Sequence, residues 1–112
     1  MAFESTLEMV NNVAKITLTG ELDAGSAPQF KTTIEEAVAQ TAKRIALLVS
    51  DLEYISSAGL RVLVFAKQKM GPGTDIYLIG AQEQIIDPIK QSGLLHSLYT
   101  ADTYDASVLE KF

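Results

Sequence analysis

Apolar residues recur at every second position in two short stretches near the start of the chain, Leu7-Glu8-Met9-Val10 and Ala14-Lys15-Ile16-Thr17-Leu18. Period two is the spacing of a strand with one buried face, so both are expected as β-strands. Asn11-Asn12 between them tolerates positive φ, which predicts a hairpin turn. Thr19-Gly20-Glu21-Leu22-Asp23-Ala24-Gly25 is expected as a loop leaving the second strand. The period then changes. Phe30, Ile34, Ala37 and Val38 fall at helical spacing, with Lys31, Glu35 and Glu36 on the other face. Ser26 suits an N-cap, Pro28 is tolerated in the first turn, and Gln29 predicts a capping box with Ser26.

Arg44-Ile45-Ala46-Leu47-Leu48-Val49 is a continuous apolar run, as expected of a strand covered on both faces. Asp51 and Leu52 end it, and Glu53-Tyr54-Ile55-Ser56 leads into a helix from Ser57 to Met70. Leu60, Leu63 and Val64 form the expected apolar seam of that helix, joined by Met70, and Gly71-Pro72-Gly73 stops it. Asp75-Ile76-Tyr77-Leu78-Ile79-Gly80 reads as another buried strand. A short helix over 82–92 follows, broken or bent near Pro88 and ended by Gly93. Ser97-Leu98-Tyr99-Thr100 is expected as a last short strand, and Asp102 as the cap of a terminal helix carrying Tyr104, Val108 and Leu109. Strands alternating with helices imply parallel pairing through crossover helices. The expected fold is therefore α/β: a single mixed, largely parallel sheet with packed helices and an N-terminal hairpin. No repeat or linker divides residues 1–112, which are expected to form one domain.

Composition narrows the function. Hydrophobic residues make up 47% and charged residues 21%, as in ordinary globular proteins. With no cysteine, disulfides, thiolate metal sites and cysteine nucleophiles are excluded. Net charge is −5 and the nine Lys and Arg residues are scattered, so the basic stripe of a nucleic-acid binder is missing. MAFESTLEMV is no signal peptide, and the apolar runs fall far short of the roughly 20 residues a membrane helix needs. A cytoplasmic chain without membrane insertion is expected.

An enzyme lacks its parts. His96 is the single histidine, expected as a partly buried surface residue, and no G-x-S-x-G elbow accompanies it. Gly71-Pro72-Gly73 lacks the lysine of a phosphate loop, and G-x-G-x-x-G does not occur. Glu21 and Asp23 stand close together, but carboxylates in exposed loops are more often solvated than metal-binding. No catalytic residue, metal or cofactor is expected.

What remains is Asp51-Leu52-Glu53-Tyr54-Ile55-Ser56-Ser57-Ala58-Gly59-Leu60-Arg61. A serine at a helix start is a good N-cap, a role worth roughly 0.5–2 kcal/mol, so stability alone would account for one of the two. The composition also suits a switch. Hydroxyls beside alanine and glycine leave the backbone approachable, and a helix start tolerates a phosphate of about −1.5 to −2 charges.

At these residues the sequence resembles the STAS family, specifically the small bacterial anti-sigma-factor antagonists. Asp51, Tyr54, Ile55, Ser57, Ala58, Gly59 and Leu60 fit the family's segment, and Thr19-Gly20-Glu21-Leu22-Asp23 is similar to its T-G-E-L-D stretch. The resemblance implies Ser57 as a phosphoacceptor, with Ser56 as the alternative because it stands where several antagonists have aspartate. It implies as partners an anti-sigma factor that is a serine kinase of the histidine-kinase-like ATPase type, and a phosphatase acting on phosphoserine. The unphosphorylated form would bind the kinase and free the sigma factor. The implied docking face comprises Gly20, Glu21, Leu22, Asp23, Ser56, Ser57, Ala58, Gly59, Leu60 and Arg61. Two other readings stand beside it: an unphosphorylated STAS subunit of a transporter or signalling complex, and a small-nucleotide-binding module at the Ser57 helix start.

Overall fold

The computed structural model describes residues 2–71 and 73–111. Pro72, part of the expected helix stop, lies outside the described residues, as do Met1 and Phe112. Strands β1 (Glu4–Val10) and β2 (Val13–Leu22) form the hairpin, in register from Glu4 opposite Thr19 to Val10 opposite Val13. Asn11 and Asn12 both take positive φ, 48° and 69°, giving the mirror-type turn that matches strand twist.

The rest of β2 departs from the expected loop. Instead of leaving the sheet at Thr19, β2 continues to Leu22, because a further strand, β4 (Leu52–Ile55), pairs beside it in parallel. Glu53-Tyr54-Ile55 is thus a strand, and Leu52 opens it. Register shifts between Gly20 and Glu21, where Gly20 adopts φ of 82°. That left-handed conformation suits glycine and kinks the strand.

Helix α1 (Ala27–Ala39) leads to β3 (Arg44–Leu48), and α2 (Ser57–Met70) follows β4. Next come β5 (Asp75–Ile79) and α3 (Glu83–Gln91), which keeps Pro88 inside it. Strand β6 (Tyr99–Ala101) and the short α4 (Ala106–Leu109) complete the described elements. The six strands run in the order β1-β2-β3-β5-β6, with β4 beside the end of β2; β1 with β2 is antiparallel and every other pairing is parallel. The fold is mixed α/β.

Alternation along the strands builds two unequal layers. Ala14, Ile16, Leu18, Ile45, Leu47, Ile76 and Leu78 face one side with Phe30 and Ile34 of α1, Leu63 and Ala66 of α2, and Ile85 and Ile89 of α3. Val13, Ala46 and Ile79 face the other side, where Leu109 of α4 covers them. Arg44 holds that cover in place: its Nη1 donates to the carbonyls of Val108 at 3.1 Å and Leu109 at 2.9 Å.

Several local expectations are corrected. The seam of α2 is Gly59, Val62, Leu63 and Ala66, while Val64 is 41% exposed and Leu60 only partly buried. The helix is rotated by one residue from the expected seam because Gly59, lacking a side chain, marks its line of closest approach. Ser26 precedes α1 but makes no capping bond, since its backbone is already helical (φ −97°, ψ −13°) and its hydroxyl is engaged by Asp23. Residues Leu94–Ser97 form a 3-10 turn rather than leading a strand, and His96 on it is exposed. Asp105, not Asp102, caps the last helix by accepting from the Ser107 N–H, so Tyr104 precedes that helix.

Candidate functional site

The ends of β2 and β4 lie side by side, Glu21 opposite Tyr54 and Leu22 opposite Ile55. The chain crosses directly from that pair into α2: the Ser56 N–H donates to the Leu22 carbonyl at 2.8 Å. So the two segments marked out in the sequence, 20–23 and 56–61, meet at one corner, at the carboxyl ends of the parallel strands.

The two serines have different duties there. Ser56 is extended (φ −89°, ψ 172°) and its Oγ accepts from the Gly59 N–H at 3.2 Å, which makes it the N-cap of α2. Ser57 is the first helical residue. Its side chain is exposed, and its hydroxyl makes no hydrogen bond among the described residues.

Gly59 holds the helix against the sheet. A Cβ built there would stand 2.8 Å from Leu22 Cγ and 3.0 Å from Ile55 Cγ1, so glycine sets the approach of α2 to β2 and β4. On the other side of the corner, Asp23 and Ser26 brace the turn into α1. The Ser26 N–H donates to Asp23 Oδ1 and the Asp23 N–H donates to Ser26 Oγ, both at 2.9 Å. Donation from the Ser26 hydroxyl and N–H holds the Asp23 carboxyl below its usual range.

Of the residues expected on a docking face, Glu21, Asp23, Ser57 and Arg61 are exposed, and Ser56, Ala58 and Leu60 are partly buried. Gly20, Leu22 and Gly59 are buried and serve the packing beneath. Tyr54 is not among the residues expected on that face, yet β4 presents it beside Glu21 at 49% exposure. A strand of four residues is too short for period two to announce itself. Among the described residues, no group of three His, Asp or Glu side chains comes together that would hold a metal ion. No described helix is long and apolar enough to cross a membrane.

A mixed sheet with α1, α2 and α3 on one face and the short α4 on the other, and a serine-led helix beside the end of β2, defines a small α/β fold whose candidate site lies on its surface. The family model for the STAS domain matches residues 5–107, and the chain belongs to that family. RsfB of Mycobacterium tuberculosis, an anti-sigma-F factor antagonist, is 27% identical over 84 residues, covering 75% of this chain and 69% of RsfB. The crystal structure of an anti-sigma factor antagonist from Mycobacterium paratuberculosis superposes with a TM-score of 0.87 at 22% identity, covering 98% of this chain and 96% of that one. The anti-sigma factor antagonist SpoIIAA in its unphosphorylated form gives 0.73 at 19% identity over 96% of each chain. The phosphorylated form of the Bacillus protein gives 0.68 at 23%, covering 88% of this chain and 92% of that one. At these identities the superpositions show a shared fold.

Proposed function

We propose that this chain is an anti-sigma factor antagonist of the cytoplasm, a binding protein rather than an enzyme, whose switch is phosphorylation of Ser57. One observation carries the choice of residue: Ser57 offers an exposed hydroxyl with no partner among the described residues, whereas the Ser56 oxygen is committed to the Gly59 N–H. Serine at 56 in place of aspartate leaves that cap intact, since both side chains accept from the helix N–H groups. RsfB, an anti-sigma-F factor antagonist, supports the partner class, and SpoIIAA, solved in phosphorylated and unphosphorylated forms, supports the switch.

The partner is an anti-sigma factor that is itself a serine kinase. In the transfer, a bond forms between Ser57 Oγ and the γ-phosphorus of ATP, the β–γ anhydride bond breaks, and ADP leaves. The hydroxyl proton passes to a base on the kinase. Before transfer the corner of Glu21, Asp23, Ser57 and Arg61 docks on the kinase and displaces the sigma factor. Afterwards a dianion sits where the partner must close. An unpaired charge buried at an interface costs about 3–5 kcal/mol, which is on the order of 100- to 4000-fold in affinity. A phosphatase returns the binding form.

Incubation with the kinase and ATP should add one phosphoryl group, lost in Ser57→Ala and kept in Ser56→Ala, as read by intact mass and fragment spectra. Ser57→Asp should bind the kinase more weakly than Ser57→Ala by calorimetry. Modification at Ser56, or equal affinities of the two Ser57 variants, would overturn the reading.

A further inference from the structure

A phosphate at Ser57 would enter acidic surroundings. The segments 19–26 and 50–57 that meet at the corner carry Glu21, Asp23, Asp51 and Glu53, all exposed, and no lysine or arginine. Between Arg44 and Lys67 the chain contains a single cation, Arg61. It lies on the same helix as Ser57, four residues on, and is also exposed. Its guanidinium makes no ion pair or hydrogen bond with another described residue. Residues four apart on a helix stand about 5–6 Å apart at Cβ, and an anion preceding a cation by four is the favourable order.

We infer that Arg61 is the built-in countercharge of the modified state, pairing with the Ser57 phosphate across one turn of α2. Before modification Arg61 is free to meet an acidic group on the partner. Once the phosphate is present, the guanidinium folds back onto its oxygens, because a planar fork of donors fits phosphate. Modification would then do two things at one site. It places a dianion at the docking corner, and it withdraws from the partner the one cation that the corner offers. The pair also ties the phosphate down against repulsion from the four carboxylates, so that the modified helix start stays folded.

The inference rests on Ser57 as the phosphoacceptor for its biological use, but its test does not need the kinase. Phosphoserine is installed at position 57 during synthesis, and the second ionisation of the phosphate is followed by phosphorus NMR against pH. A cation beside the phosphate favours the dianion and lowers its pKa. Arg61→Gln should raise the midpoint by about 0.2–0.4 pH unit, the size expected for an exposed pair at this spacing. Arg61→Lys should recover part of that difference, and about 1 M salt should erase it. Arg61 is exposed, so unchanged circular dichroism is expected for both variants. Identical midpoints for the native and Arg61→Gln chains at low salt would overturn the pairing, whatever the kinase does. Failure of the kinase to modify Ser57 would overturn the proposed function instead and leave the titration result standing.

Discussion

Gly59→Ala tests whether glycine sets the close approach of α2 to the sheet, because two effects of opposite sign compete at that position. In favour of the variant, alanine is a better helix residue than glycine by about 1 kcal/mol in a helix interior, and less in a first turn. Against it, the new methyl would stand 2.8 Å from Leu22 Cγ, 2.9 Å from Leu22 Cδ2 and 3.0 Å from Ile55 Cγ1. Cγ is the branch point of the leucine, not its flexible end, and Leu22 is 0% exposed, so it has nowhere to swing. Overpacking of this kind costs typically about 1–3 kcal/mol. The steric cost should win, leaving a net loss of about 1–2 kcal/mol and a Tm lowered by roughly 4–10 °C. Thermal unfolding followed by circular dichroism measures it. A double-mutant cycle sharpens the result: on a Leu22→Ala background the added methyl has room, and its cost should vanish or reverse. A Tm equal to or above that of the native chain for Gly59→Ala alone would show that α2 moves freely, and would refute the claim that glycine sets its position.

Ser56→Ala should lose about 0.5–2 kcal/mol of stability through the missing cap, while Ser57→Ala should be close to neutral; denaturant midpoints compare them. The Asp23 carboxyl is depressed by Ser26, so its contribution is present above the unfolded-state pKa and is lost as pH falls through the folded value. Ser26→Ala should therefore flatten the acid side of a Tm-against-pH curve, and an unchanged curve would count against that bond. Arg44→Gln removes donors to the carbonyls of Val108 and Leu109 and should free α4 from the sheet. Amide exchange over 106–110 should accelerate, with a stability loss of about 1–3 kcal/mol.

Long elements were legible in the sequence for physical reasons. The continuous run from Arg44 and the helical spacing of Phe30, Ile34 and Ala37 each repeat a period often enough to be read. Asn11-Asn12 announced its turn because few residues accept positive φ in succession. What stayed hidden depends on a partner distant in sequence. β4 has four residues and exists because β2 offers it an edge, and β2 runs through Gly20 only because a bulge absorbs the change of register. Local composition from Thr19 to Gly25, in which glycine and aspartate signal turns, carries no trace of that pairing. Val64 was misplaced for a related reason. The rotation of α2 is set by a glycine pressed on Leu22, and a missing side chain leaves no apolar signal to count. The hydroxyl of Ser26 was diverted locally instead, to Asp23 three residues before it, in place of its expected cap.

Two adjacent serines look interchangeable along a chain, but a helix start separates them. Ser56 is still extended, and its oxygen turns inward to the N–H of Gly59. One residue later the chain has entered the helix, where each step rotates a side chain by about 100°. That single step carries the next oxygen out to solvent. Modifying Ser56 would have to break the cap bond and loosen the turn that Gly59 pins to Leu22. Modifying Ser57 breaks no hydrogen bond among the described residues, and an anion at that position meets the positive end of the helix dipole. A switch that must be thrown and reset repeatedly is better placed where its two states share one backbone. The work of discrimination then falls on the charge at the surface, with the fold beneath it unchanged.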